Sequence, residues 1–344
     1  MKVLSLLIFS FFAATALAQG AFTPGEIWYD TNNTTINAHG GGIMYHEGTY
    51  YWYGECKGTF TYRSPGVGWE AYRTEAGGVN CYSSKDLYNW KFEGTVLEPD
   101  TVNTYSDIHP TMVIERPKVV YNEQTGKFVM WMHIDSPNYG KASAGVAVSD
   151  SPTGKFTYIE SVHPNGQIAR DLTVYKDDDG KAYLIYSSEG NATMQISQLT
   201  DDYLKTVGTY TRNFIDKSRE APAIFKRDGK YYIVSSGCTG WSPNEAEYAV
   251  ADCITGPYTT LGNPCKGPDA DKTFYCQSTF VLPVQGQPDT YIMMFDRWNK
   301  RDLFDSRYVW LPIEFDGDKL SIRWQRNWSI ASFLAAQKSK SFIN

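Results

Sequence analysis

One arrangement of residues occurs five times in this chain and restricts its fold more than any other feature. A polar residue heads a short apolar run, a Gly or Asp turn follows, and a second run rich in Tyr, Ile and Val comes after. In the fourth copy, Arg219-Glu220-Ala221-Pro222-Ala223-Ile224-Phe225 passes through Arg227-Asp228-Gly229 into Tyr231-Tyr232-Ile233-Val234. The heads of the five copies are His39, Glu115, Asp171, Glu220 and Gln277, spaced 76, 56, 49 and 57 residues apart (39→115→171→220→277). Short alternating runs bounded by turn residues read as strands. Four-stranded units repeated around an axis are the blades of a propeller. The expected fold is therefore all-β, a five-bladed β-propeller. A β-sandwich is the alternative, but nothing in a sandwich requires five copies of one unit.

The uneven spacing places insertions in loops, the longest over 57–78 and 99–114. No long amphipathic helix is expected, and the polar tail 338–344 is expected to fray. The chain has 344 residues, of which 15% are aromatic. That load suits pleated surfaces, and it also suits sugars, whose C–H faces stack on rings. The formal net charge is −6 with no basic tract, which argues against a nucleic-acid partner.

Lys2, the apolar run from Val3 to Ala16 and the small-residue site Ala16-Leu17-Ala18 form a secretory signal. Cleavage is expected after Ala18, leaving residues 19–344 as one catalytic domain, a monomer that is secreted or periplasmic. The run is shorter than the roughly 20 residues a membrane span needs, and no later stretch is long enough. Export makes the six cysteines disulfide-permissive. Sequence cannot choose among their pairings; the simplest are the local ones, Cys56 with Cys81, Cys238 with Cys253 and Cys265 with Cys276. No C-x-x-C pair or His cluster points to zinc. Sequons stand at Asn32, Asn33, Asn191 and Asn327.

In a propeller the innermost strands line a central channel, so the five heads share one end of it. Three of them are carboxylates. Like charge and partial burial raise at least one carboxyl pKa in such a group, and a raised carboxyl is a proton donor near neutral pH. Cleavage of a glycosidic bond needs such a donor at the leaving oxygen, with a second group opposite to place water or a nucleophile. Taken singly, each carboxylate reads first as a solvated strand end; it is the register of all of them together that points to a shared pocket. Arg116 and Arg170 flank two heads, either as their partners or as ordinary surface residues.

The layout Glu115-Arg116-Pro117-Lys118, Arg170-Asp171-Leu172 and Glu220-Ala221-Pro222 resembles glycoside hydrolase family 43 over nearly the whole mature chain. Four further stretches are similar, more narrowly, to the branch containing exo-β-1,3-galactanases: Ala38-His39-Gly40-Gly41-Gly42, Tyr51-Trp52-Tyr53-Gly54-Glu55, Cys276-Gln277-Ser278-Thr279 and Asp296-Arg297-Trp298. Thr239-Gly240-Trp241 belongs with them. The resemblance implies an inverting enzyme with Glu220 as general acid and Asp171 as the carboxylate that tunes it. The family's usual base, an aspartate at the start of blade one, is missing, since Asn37-Ala38-His39 holds no carboxylate. Glu115 and Gln277 then lie around the reacting sugar, and the amide oxygen of Gln277 is a candidate holder of the attacking water.

By the same resemblance, His39, Glu55, Tyr139, Asn191, Thr239, Trp241 and Trp298 are candidates for binding sugar. Trp241 and Trp298 read equally as inter-blade packing, and Asn191 as a turn residue. The implied substrate is a β-linked galactan or arabinogalactan. No cofactor is implied; some members hold a calcium ion in the channel, but no ligand set for one is legible here. Alternatives are a sister activity (α-L-arabinofuranosidase, β-galactosidase or β-xylosidase) and a non-catalytic sugar-binding propeller.

Overall fold

The computed structural model describes residues 20–64 and 67–341. The expected signal segment 1–18 lies outside them. Five antiparallel sheets follow one another along the chain, each running from an innermost strand outward. The innermost strands are His39–His46, Val113–Asn122, Leu172–Lys176, Arg219–Arg227 and Gln277–Pro283. Each touches the next, and the fifth touches the first, so the ring is closed. This is the five-bladed β-propeller that the repeat implies. Blade five carries a fifth strand, Cys265–Lys266, paired in parallel with Lys319–Arg323.

The ring closes through an aromatic seam between blades one and five. Trp52, Trp90 and Trp310 are each 1% exposed. Trp310 lies 4.8 Å from Trp52 and 4.9 Å from Trp28 between ring centroids. Phe22 forms a β-bridge with Trp328, which brings the two ends of the described chain together. Most indole N–H groups here find backbone carbonyls: Trp28 donates to Thr23, Trp90 to Leu87 and Trp328 to Trp310. Buried rings with satisfied N–H groups supply large burial without an orphaned donor; Trp52, whose buried N–H has no partner among the described residues, is the exception.

A helix, Ile330–Ser341, packs beside this seam. Sequence reading had left its last residues as fraying tail. The backbone N–H of Ser332 donates to Ser329 Oγ and that of Ser329 to Ser332 Oγ, a reciprocal cap, and Phe333 packs on Trp328.

The local disulfides do not form; all six cysteines are free thiols. Cys81 lies opposite Tyr53, three residues along the strand from Cys56, roughly 10 Å away and beyond the reach of a disulfide. Cys238 follows the pocket end of Lys230–Gly237, whereas Cys253 follows Ala251, which pairs with Tyr231 at the other end. Cys265 and Cys276 share an apolar cluster and remain reduced.

Four of the five innermost strands carry a β-bulge at or just after the head: between His39 and Gly42, Glu115 and Lys118, Glu220 and Ala223, and Ser278 and Phe280. In three of them a residue adopts left-handed backbone, Gly40 at φ 58°, Arg116 at 58° and Ala221 at 54°. A bulge re-aims side chains out of strict alternation. For Arg116 and Ala221 that conformation costs about 1–3 kcal/mol each, held in place by the blades around them. At Gly40 a Cβ would stand 2.0 Å from Glu55 Oε1, so only glycine fits.

Candidate active site

At the bulged end of the channel a cavity of about 730 Å³ opens, within the usual range for small-ligand sites. Glu115, Asp171, Glu220 and Gln277 all line it, one from each of blades two to five. Arg116 lies among them, 5% exposed, and is not a surface residue. Its Nη2 pairs with Asp171 Oδ2 at 3.0 Å and donates to Gln277 Oε1 at 2.5 Å, while Nη1 donates to Ser278 O at 2.9 Å. One planar guanidinium thereby fixes blades two, three and five together. Lys118 Nζ donates to Gly40 O at 2.7 Å, linking the bulges of blades one and two.

The amide of Gln277 has one possible orientation. Its oxygen accepts from Arg116 Nη2 and from Trp298 Nε1 at 3.0 Å. Its nitrogen donates to Glu220 Oε1 and to Ser236 Oγ, both at 3.0 Å. Both lone pairs of the oxygen are engaged, so in the free protein this oxygen does not offer the water-holding position expected from sequence. Glu220 Oε2 accepts from Asn191 Nδ2 at 3.3 Å.

The carboxyl groups of this floor are pushed apart in pKa. Burial, and next the charge of Asp171, raise Glu220 to about 8 against the pull of Arg116. Burial also acts to raise Glu115, but His133, Lys57 and Arg116 outweigh it and bring Glu115 down to about 2. His133 bridges Glu115 Oε2 at 3.2 Å and Asp135 Oδ2 at 3.0 Å. Burial opposes its charge, yet these two carboxylates raise it to about 10, so both ring nitrogens donate. Tyr139 Oη donates to the other Glu115 oxygen at 3.0 Å. Neighbouring carboxyls with opposite shifts are the pattern of an acid beside an ionised partner.

Glu115, His133 and Asp171 bring potential ligand atoms within 4.8 Å of one another. All three are already engaged, and a dication there would meet Arg116 and a protonated His133. The arrangement suits a guanidinium, not a metal ion.

The walls contain six of the seven predicted sugar-binding residues. Glu55, Tyr139, Asn191, Thr239, Trp241 and Trp298 line the cavity. Glu55 is 2% exposed and ion-pairs with Lys57, which lies 5.3 Å from the Trp298 ring. Trp241 meets Trp298 edge-on at 6.0 Å, and its indole N–H has no protein partner. Thr239 stands on the exposed rim and donates to Ser242 O.

His39 is the exception. It is wholly buried, stacked on Tyr308 at 4.9 Å and bonded through Nδ1 to Asp296 at 3.1 Å. The left-handed turn at Gly40, whose N–H donates to the same aspartate, holds the ring beneath the pocket.

Sequence reading assigned no role to His133, Ser236 or Asp296, although Asp296 stands in a quoted motif, and hairpin register identifies all three. Glu115 pairs with His133, Glu220 with Ser236 and Gln277 with Asp296, just as His39 pairs with Glu55. Four of the five heads, all but Asp171, therefore have a polar partner directly across the hairpin.

Comparison with known proteins follows this geometry. The model of glycosyl hydrolases family 43 matches residues 37–266. A family 43 beta-1,3-galactosidase solved with galactodeoxynojirimycin is 43% identical, with a TM-score of 0.83 over 90% of this chain and 100% of that one. An exo-beta-1,3-galactanase of Phanerochaete chrysosporium, solved with beta-1,3-galactotriose, is 33% identical, with a TM-score of 0.81 over 92% of this chain and 69% of that one. A beta-D-galactofuranosidase of Aspergillus niger is 26% identical over 234 residues, 64% of this chain and 66% of that protein. The family match alone extends over two thirds of the sequence and takes in the first four strand heads; the chain belongs to glycosyl hydrolases family 43.

Proposed function

We propose that this chain is an exported, exo-acting glycoside hydrolase that releases galactose from β-1,3-linked galactan with inversion at the anomeric carbon. The observation that carries the reading is the pair of carboxyl groups in one pocket, Glu220 at about 8 and Glu115 at about 2. At neutral pH the first holds a proton and the second is ionised. The galactose-specific names of two of the structural relatives support the choice of sugar.

Glu220 protonates the glycosidic oxygen as the bond to the anomeric carbon breaks. Gln277 donates to Glu220 Oε1 at 3.0 Å and Asn191 to Oε2 at 3.3 Å; Oε2, with the longer contact, carries the transferred proton. The charge of Asp171 favours the protonated form. Glu115, ionised and oriented by Tyr139 and His133, takes the proton of the attacking water, in the role that the missing blade-one aspartate would have filled. Trp241 and Trp298 line the pocket and offer ring surface to the apolar face of a sugar.

The test is product analysis on β-1,3-galactan beside β-1,4-galactan, arabinan and xylan, with proton NMR of the first product. Galactose from the β-1,3 polymer alone, appearing first as the α-anomer, is the expected result. Arabinose or xylose would move the protein to a sister activity. The likeness to a galactofuranosidase makes a galactofuranoside the next substrate to try. Silence on every polymer would favour a binding propeller.

A further inference from the structure

One wall of the pocket takes no part in the acid and base chemistry. Residues 58–64 and 67–75 lie between the second and third long strands of blade one, and Trp69 and Glu70 among them line the cavity. They are tied down on two sides. Ser64 Oγ donates to Pro137 O of the blade-two loop at 2.5 Å. On the blade-five side, Leu303 N donates to Thr61 Oγ1 at 2.9 Å, and Lys300 Nζ donates to Glu70 Oε2 at 2.5 Å and lies over the Tyr72 ring. Between these ties stands Trp69, 40% exposed and lining the cavity.

The Trp69 indole lies 5.2 Å from the ring of Tyr139, between centroids. Its Cε3 is 3.9 Å from where a Cβ would stand on Gly240. It therefore touches blades two and four, the neighbours of blade three, which contributes Asp171 and Arg170 to the same cavity. Elsewhere the rim carries the exposed residues Ser242, Pro243 and Tyr275. An enzyme that cuts within a polysaccharide needs its cleft open on both sides of the scissile bond, because the chain must run in and out. A ring bridging one side leaves a single way in.

Resting on the galactanase reading above, we infer that Trp69 is the specificity-determining residue that restricts the enzyme to chain ends. Its ring walls off the far side of the terminal sugar, and the ties through Thr61, Ser64 and Glu70 hold that wall in place without a movement on binding. An aromatic face is also a surface on which the apolar side of a sugar packs.

The experiment compares the parent, Trp69→Ala and Trp69→Phe on reduced β-1,3-galactan and on an aryl β-galactoside, with product sizes followed from the first minutes. Near-ultraviolet circular dichroism and a melting curve verify the fold. The parent is expected to give galactose only. Trp69→Ala is expected to give oligosaccharides of two or more residues among the first products. Its kcat/KM for galactan should fall about tenfold relative to the aryl galactoside, the scale of one lost aromatic contact. Trp69→Phe should restore both. A folded Trp69→Ala that still yields galactose alone, with the parent's ratio of activities, overturns the inference while leaving the galactanase reading intact. A parent that releases no galactose overturns that reading, and this inference with it.

Discussion

The channel mouth and the aromatic seam lie on either side of one residue, His39, and they obtain stability in opposite ways. The seam buries Trp52, Trp90 and Trp310 almost completely, and the indole N–H groups of Trp90 and Trp328 donate to backbone carbonyls, whereas that of Trp52 has no partner among the described residues. The mouth crowds Glu55, Glu115, Asp171 and Glu220 around Arg116 and holds two non-glycine residues in left-handed backbone. Apolar burial contributes at every pH. A carboxyl kept protonated near neutrality makes folding less favourable as pH rises. The protein thus concentrates its strain and frustrated charge where bonds are to be broken, and the seam offsets it.

The sharpest way to break this comparison is Glu220→Gln. The amide keeps the shape and donates no proton, so kcat on β-1,3-galactan is expected to fall by about 10³-fold or more. The sign for stability is opposite. Glu220 has a folded pKa of about 8 against an ordinary value of 4.5. Its favourable contribution is full below pH 4.5 and is lost as pH rises through about 8. Glu220→Gln should therefore stabilise the fold at pH 7, by up to about 3 kcal/mol, and by nothing at pH 4. Urea melts at the two pH values test this. In the parent, kcat/KM should decline above about pH 8, where Glu220 loses its proton. A variant equally stable at both pH values would mean that the mouth stores no such penalty.

Trp310→Ala probes the other region. Removal of a fully buried ring costs about 3–5 kcal/mol, read as a lower urea midpoint. Because no acid or base is touched, kcat per folded molecule should remain within about threefold. A collapse of kcat in folded protein would show that seam and mouth are one mechanical unit, coupled through Tyr308 and His39.

Arg116→Lys comes next in size. The charge stays but the fork is lost, so Asp171, Gln277 and Ser278 can no longer be held at once. Misplacement of this kind costs about ten- to a hundredfold, and it should appear mainly in kcat. The pH at which activity declines should move little, because the charge near Glu220 is retained.

The propeller was legible because strand and turn signals repeat regardless of tertiary contacts, and the heads of the repeat named Glu115, Asp171, Glu220 and Gln277 together. What sequence could not supply was the direction of side chains beside a bulge. Strict alternation would turn Arg116 away from Glu115, so it read as either partner or surface; the left-handed turn brings it into the channel. The same device at Gly40 sends His39 under the floor, although its position in the repeat matches that of Glu115. His133 and Asp296 were hidden for a different reason. They stand in second strands and enter the site only through hairpin register, which the sequence contains but which the strand heads alone do not reveal. The C-terminal helix was missed because its cap is a pair of serines and its apolar face is slight.

The smallest expected effect sharpens the comparison from within the mouth. Asn191 donates to Glu220 Oε2 over 3.3 Å, and its own oxygen meets Arg170 Nη1 only at 3.5 Å. Both contacts are long, so Asn191→Ala should change kcat less than about threefold, near the low end of hydrogen-bond contributions. A donor on Oε2 favours the ionised carboxyl, so its removal should move the basic limb of the pH profile upward, by about half a unit. An upward shift with near-normal kcat would mean that Asn191 trims the acid and that burial with Asp171 sets it. A downward shift would mean that Asn191 holds the protonated form, and the proton would then have to be assigned to Oε1, the oxygen that Gln277 also contacts.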